Sequence, residues 1–377
     1  MPSYSGVWTL QAQMQNVAAG TWTGQPQLFA WGLNSTGQLG LNDTANRSSP
    51  VQIGALTTWS QTAGGSGFSL AVKTDGTMWS WGNGTEGRLG LNDTVNRSSP
   101  VQVGALTEWS QVAAGGRFSL AIKTNGTLWS WGQNYFGNLG INDTADRSSP
   151  VQVGALTAWS KVAGGYSNSL AIKTDGTLWS WGRNQYGQLG LNDTANRSSP
   201  VQVGALTTWS QVAGGFTFSL AVKTDGTLWG WGYNGLGQLG LNDTANRSSP
   251  VQVGALTTWS KVTGGNNFSV AVKTDGTLWS WGANTNGRLG LNDTVYRSSP
   301  VQIGALTTWS QIAGGSGFCL AIKTDGTLWS WGYNSYGKLG LNDTANRSSP
   351  VQVGVLTTWL TLPKMQQSSA PLAIRTS

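Results

Sequence analysis

The sequence predicts an all-β fold, a seven-bladed β-propeller of 50-residue, four-stranded repeats closed by N- and C-terminal strands in one blade. Three observations carry that prediction. A motif of the form WGxNxxGxLGxNDT starts at Trp31 and returns at Trp81, Trp131, Trp181, Trp231, Trp281 and Trp331, always 50 residues on, with one lapse at Gly84. Each repeat holds short runs of alternating apolar and polar residues, the period of a half-buried strand, and none sustains helical periodicity. The two chain ends also complete each other as pieces of one repeat. Four short strands repeated around a ring form a propeller.

The elements follow in chain order. Residues 100–104 (PVQVG) and 109–113 (WSQVA) alternate as strands do. Residues 119–123 (SLAIK) and 127–131 (TLWSW) come next, joined by a Thr-Asn-Gly turn. Five other repeats have Thr-Asp-Gly there, a hairpin signal with glycine placed for positive φ. Trp129 and Trp131 share one face of their strand, because side chains alternate with period two. Residues 372–377 match the SLAIKTD strand two residues late, and residues 27–32 match the TLWSWG strand after it. The chain is therefore cut at the hairpin turn, both ends enter the last blade, and closure leaves no open edge. Residues 13–20 and residues 359–365 compete for a further strand of that blade. The division is a propeller over residues 27–377 and an N-terminal extension over residues 1–26, a possible docking segment.

Composition excludes most chemistry. The chain has no histidine, hence no imidazole base, no histidine-containing triad and no histidine metal ligand. Its one cysteine, Cys319, allows no intramolecular disulfide or cysteine zinc site, and stands where the other complete repeats have serine. Glu86 and Glu108 are the only glutamates, so no carboxylate pair for glycoside hydrolysis is indicated. The aspartates of the NDT motif, one per blade, are too far apart for a calcium cluster and read as Asx-turns. No enzyme, cofactor or metal is expected. The net charge of +7 comes largely from scattered residues such as Arg88, Arg117, Arg183, Arg288 and Lys338. That is no continuous phosphate track, and nucleic acid is not the expected partner. The N-terminus lacks a basic region and a long apolar run, so neither a secretory signal nor a membrane span is expected.

The pattern WGxNxxGQLGLNDT…SSPVQV…VAGGxxFSLAIKTDGTLWSWG resembles the regulator of chromosome condensation repeat family, over essentially all of residues 27–377. The resemblance implies a seven-bladed propeller. It leaves function open, since members include a nuclear guanine-nucleotide exchange factor, ubiquitin-ligase modules and a secreted bacterial β-lactamase inhibitor that binds through aromatic loop residues. Two departures bear on this. The histidine usual after the glycine pair is replaced by Phe68, Phe118, Asn168, Phe218, Phe268 and Phe318. All complete repeats have one length, so the wedge that the exchange factor inserts into its GTPase has no counterpart. Separately, residues 6–15 (GVWTLQAQMQ) resemble the opening of many bacteriophage structural and tail-associated proteins, which implies a virion protein as partner of residues 1–26.

The repeats agree along their strands and differ in two windows. One follows WG and holds Tyr135, Phe136, Arg183, Tyr186, Tyr233, Tyr333 and Tyr336; the other follows the glycine pair and holds Arg117, Tyr166 and Phe216. Six of the eight tyrosines lie in these windows. In an up-and-down blade the two windows are two connections apart, so they share one face of the disc, and the cut termini emerge on the other. Tyrosine offers a large amphipathic contact area at low entropy cost, which suits recognition. Drift after duplication explains variable loops, but it does not favour tyrosine. The expected function is a non-catalytic recognition propeller of a bacteriophage virion or tail, binding a protein or surface glycan through the variable face. The alternatives are a bacterial protein-binding or inhibitory module, cytoplasmic or exported without a recognisable signal, and a purely structural virion decoration.

Overall fold

Strand periodicity and turn chemistry together produce antiparallel four-stranded blades. The computed structural model describes residues 24–365, 368 and 370–376. Blade 1 runs from the centre outward through Trp59–Gly64, Phe68–Lys73, Met78–Gly82 and Arg97–Gln102, with Ala71 opposite Trp79 and Trp79 opposite Gln102. Blades 2 to 6 repeat it, their inner strands beginning at Trp109, Trp159, Trp209, Trp259 and Trp309. Seven sheets form the ring.

One strand differs from its expected place. In the sequence, residues 100–104 read as a strand leading into those at 109–113, 119–123 and 127–131; the strand is instead Arg97–Gln102, and it is the outer edge of the preceding blade. Its proline explains the position, because an edge strand needs no ladder N–H from Pro100.

Blade 7 is built from both ends of the chain. Its order from the outside is Arg47–Thr57, Pro26–Gly32, Leu372–Thr376 and Trp359–Thr361. Phe29 faces Ala373, the register that Trp79 and Ala71 keep in blade 1. The innermost strand comes from Trp359–Thr361; residues 13–20 and most of the 1–26 extension lie outside the described residues. The 359–365 segment does not stay together, since Lys364–Met365 leaves blade 7 and pairs in parallel with the inner strand of blade 1, Lys364 opposite Ala63.

Tryptophan holds blade to blade. Trp81 is fully buried, and its indole N–H donates to the Gln38 carbonyl of the neighbouring blade at 3.0 Å. The Ser69 hydroxyl donates to the same oxygen at 2.9 Å. The indole latch recurs in every blade except the second. Burial of one such ring contributes about 4 kcal/mol from its area alone. Trp59 meets Trp79 edge-on with centroids 6.2 Å apart, and the Lys73 ammonium lies 4.9 Å from the Trp79 ring. Phe68 fills the usual histidine position: it is buried, and its ring packs so closely on Gly65 that a Cβ there would sit 2.0 Å from it. Asn168 takes this place in blade 3, and both polar atoms of its buried amide lack a hydrogen-bond partner among the described residues.

The inner strands enclose a central cavity of about 460 Å³, lined in part by Gln111, Lys161, Gln211, Lys261 and Gln311, with Leu362 and Pro363 on its wall. These polar side chains also link neighbouring blades, as Gln111 does by donating to the Ser160 carbonyl at 2.6 Å. Among the described residues no helix is long and apolar enough to cross a membrane.

Candidate functional site

The connections after WG are long, and an asparagine frame shapes them. The Asn34 N–H donates to Asn46 Oδ1 at 2.8 Å, and its Nδ2 donates to Asp43 Oδ1 at 2.9 Å. Its Oδ1 in turn accepts the Leu39 N–H at 2.9 Å. Asp43 accepts the Ala45 N–H at 3.0 Å, the expected Asx-turn, and pairs with Arg47, so its carboxylate is occupied within its own loop. The same aspartate–arginine pair recurs around the ring. Among the described residues no group of acidic or thiol side chains is arranged to hold a metal ion.

Both variable windows lie on one face. The Gln133 N–H donates to the Arg117 carbonyl at 3.0 Å, joining the two windows of blade 2. On the opposite face the Trp109 N–H donates to the Gly76 carbonyl of the preceding hairpin turn at 3.1 Å. Pro26 pairs with Thr376 at the cut turn of blade 7, which puts the described chain ends on that opposite face.

Eight of the ten candidate residues lie on blades 2 to 4, and contacts between blades connect most of them. Tyr135, 72% exposed, meets Phe136 edge-on at 4.7 Å, and the Arg183 guanidinium of blade 3 lies 4.9 Å from the Phe136 ring. Tyr186 of blade 3 packs on Tyr233 of blade 4 at 5.0 Å, and Tyr166 on Phe216 at 4.6 Å. Arg117 reaches back to Glu86 of blade 1 at 3.1 Å. Tyr333 and Tyr336 stand apart on blade 6, where the Lys338 ammonium lies 4.9 Å and 6.0 Å from their ring centres.

Sequence reasoning missed Glu86 as part of this face. Its carboxylate pairs with Arg88 as well as Arg117, and accepts from Gln133 Nε2 at 3.1 Å. One of only two glutamates falling inside a variable window was the available signal. In the sequence Lys338 stands out only by its charge. Burial pulls its ammonium down to about 8, and burial likewise lowers Arg88, to about 10, and Arg288.

The residue at the 38-type position goes with the shape of the loop in six of the seven blades, blade 2 having Asn138 there. Where it is glutamine, Oε1 accepts the N–H two residues back: Thr36 at 2.8 Å, Tyr186 at 2.9 Å and Leu236 at 3.0 Å. Arginine and lysine offer no acceptor. Where Arg88, Arg288 or Lys338 stands there, the residue two back turns left-handed: Glu86 at φ 58°, Asn286 at φ 62° and Tyr336 at φ 65°. A left-handed tyrosine costs about 1 kcal/mol or more, whereas asparagine tolerates that region.

Comparisons with known proteins agree on the architecture. A family model described as an RCC1-like domain matches residues 27–213. The regulator of chromosome condensation (RCC1) repeat matches residues 225–272, 275–322 and 325–368, and a second model of that repeat matches residues 209–238, 259–288 and 309–338. No curated protein matches the chain by sequence. Human WBSCR16 superposes with a TM-score of 0.83 at 22% identity, over 93% of this chain and 99% of its own. Yeast RCC1 (Prp20), solved bound to Kap60, superposes with a TM-score of 0.84 at 21% identity, over 94% of this chain and 89% of its own. A separate structure of Prp20p from Saccharomyces cerevisiae, described with its binding to Gsp1p and histones, gives 0.83 at 21%, over 94% and 92%. At these identities the likeness speaks for the fold alone.

Proposed function

The chain belongs to the regulator of chromosome condensation (RCC1) repeat family, and from that premise we propose that it is a non-catalytic recognition propeller whose variable face binds a macromolecular partner. Propellers of the family generally serve as binding or exchange-factor domains. The observation that carries the reading is the arc from Tyr135 to Tyr233, in which aromatic and arginine side chains of separate blades touch across a frame that is otherwise repeated. Recognition surfaces concentrate energy in such tyrosine and arginine positions. The Kap60 complex of yeast RCC1 supplies a precedent for protein partners in the family.

The finer reading places the chain on a bacteriophage virion or tail, with residues 1–26 docked on a virion protein and the variable face turned to the host. It rests on the resemblance of residues 6–15 to phage structural proteins and on Pro26 and Thr376, near the ends of the described chain, lying opposite the variable face. Two measurements test the pair of readings. Mass spectrometry of purified particles should find the chain, and its absence ends the virion reading. The combined replacement of Tyr135, Tyr186 and Tyr233 by alanine should abolish adsorption of those particles to host cells while circular dichroism shows an intact fold. Unchanged adsorption with an intact fold leaves only a structural decoration.

A further inference from the structure

We propose that Tyr333, Tyr336 and Lys338 of blade 6 form a binding site for an anionic sugar residue, a pyranose bearing a carboxylate or phosphate. The proposal rests on the recognition reading above and names the ligand of one part of that face.

Three observations carry it. Lys338 is only 5% exposed, yet among the described residues its ammonium has neither a carboxylate nor a hydrogen-bonding partner; its contacts are the two tyrosine rings, 4.9 Å and 6.0 Å away. The aliphatic stem is buried while the ammonium is not among the sealed-off polar atoms, so it can meet a ligand, and among the described residues no carboxylate stands beside it. Those rings are themselves open to solvent, Tyr333 at 36% and Tyr336 at 51%.

The second observation is backbone strain. Among the three left-handed residues that precede a cation, Glu86 is held by its ion pairs to Arg88 and Arg117, and Asn286 is a residue suited to that conformation. Tyr336 has neither compensation. A bulky side chain kept left-handed with only the distant Lys338 ammonium against its ring points to a function outside the fold.

The third is the chemistry of the rim. Arg288 of blade 5 spends Nε and Nη1 on the carbonyls of Thr285 and Asn266, while its Nη2 and the Tyr333 Cβ both lie within 4 Å of one point beside Gly317. A second cation thus borders the same tyrosine. The loops of blades 5 and 6 also carry amides and hydroxyls: Asn346 Nδ2 of blade 6 donates to Asn286 Oδ1 of blade 5 at 3.3 Å, and within blade 5 the Tyr296 hydroxyl and Thr285 Oγ1 are 2.9 Å apart. A sugar ring lays its C–H face on a tyrosine, its anionic group meets the ammonium, and its hydroxyls use the amide rim. Lys338 was desolvated by burial before any ligand arrives, so an anion restores the balance that burial removed.

The test uses the full chain and titration calorimetry with four probes: a glucuronate-containing tetrasaccharide, its carboxyl-reduced counterpart, glucose 6-phosphate and hexaglutamate. The wild-type chain should bind the uronate sugar, the sugar phosphate or both, and prefer them to the reduced sugar and the peptide by at least tenfold. Lys338→Gln installs the residue that blades 3, 4 and 7 use at Gln188, Gln238 and Gln38, so the fold is kept. It should weaken that binding at least tenfold, and Tyr336→Ala should do the same. A uronate-only response assigns a carboxylate source and a phosphate-only response a phosphate source; both support the site. No binding to either acidic sugar, equal affinity in Lys338→Gln, or tighter binding of hexaglutamate overturns it. Since the alanine replacements on blades 2 to 4 leave blade 6 untouched, loss of adsorption there with no effect of Lys338→Gln sinks this proposal alone.

Discussion

Blades 3 and 6 carry a tyrosine at the same place in the same loop, Tyr186 and Tyr336, and hold it in two ways. In blade 3 the Gln188 side chain accepts the Tyr186 N–H, and the ring rests half-buried on Tyr233. In blade 6 Lys338 has nothing to accept with, Tyr336 turns left-handed, and its ring stands in solvent. Both loops hang on the same asparagine frame, with Asn184 and Asn334 bonding the aspartates of their own repeats. The difference teaches that a single side chain two residues on decides whether a tyrosine on this face packs on a neighbour or is presented.

The largest expected effect tests whether the frame is truly shared. Gly187 and Gly337 both have positive φ, and a Cβ on either would fall 2.4 Å or 2.3 Å from the Cα of a serine in the next blade, Ser248 or Ser48. Replacement by alanine should cost about 3 kcal/mol at each site. Urea denaturation should give equal losses; a clear inequality breaks the comparison at its root.

A second test asks whether blade 3 carries a weakness that blade 6 lacks. Asn168 stands where blade 6 has Phe318, and its buried amide is unpartnered. Asn168→Phe should stabilise the protein by about 1–3 kcal/mol, the cost of leaving such groups unsatisfied. A loss of stability would show that the amide has a role the packing does not reveal.

The third converts blade 6 into blade 3. Lys338→Gln should raise stability at pH 7 by about 1–2 kcal/mol, by removing a buried cation and relaxing Tyr336. The Lys338 pKa falls from 10.5 to about 8 on folding, so between those values the unfolded chain binds more protons. Wild-type stability should therefore rise as pH climbs from about 8 toward 10.5, and the variant should lack that rise. Parallel pH profiles for the two proteins would disprove the assignment.

The smallest effect comes from the reverse exchange. Gln188→Lys should cost about 1 kcal/mol, as Tyr186 turns left-handed and leaves Tyr233. NMR contacts between the two rings should disappear; their survival would mean that stacking, and not the residue at 188, sets the loop.

How much of this was legible varies with the range of the interaction. The hairpin turns and the alternating strands are local, and residues 109–131 alone announce them. The outer strand was misplaced because residues 97–104 read equally well as the start of one unit or the end of another, and only pairing of Gln102 with Trp79 settles which. The ten variable residues were visible as a class, yet Glu86 was not, because its role lies in reaching Arg117 and Gln133 on another blade.

The sequence by itself determined the blade, its number of copies and the face on which variation collects, because strand period, turn residues and repeat spacing are properties of neighbouring residues. Tertiary structure alone decided which variable side chains meet, that Trp359–Thr361 closes the ring, and that Lys364–Met365 crosses to blade 1. Those contacts join residues far apart in the chain, whose distance depends on how the ring brings one blade against the next.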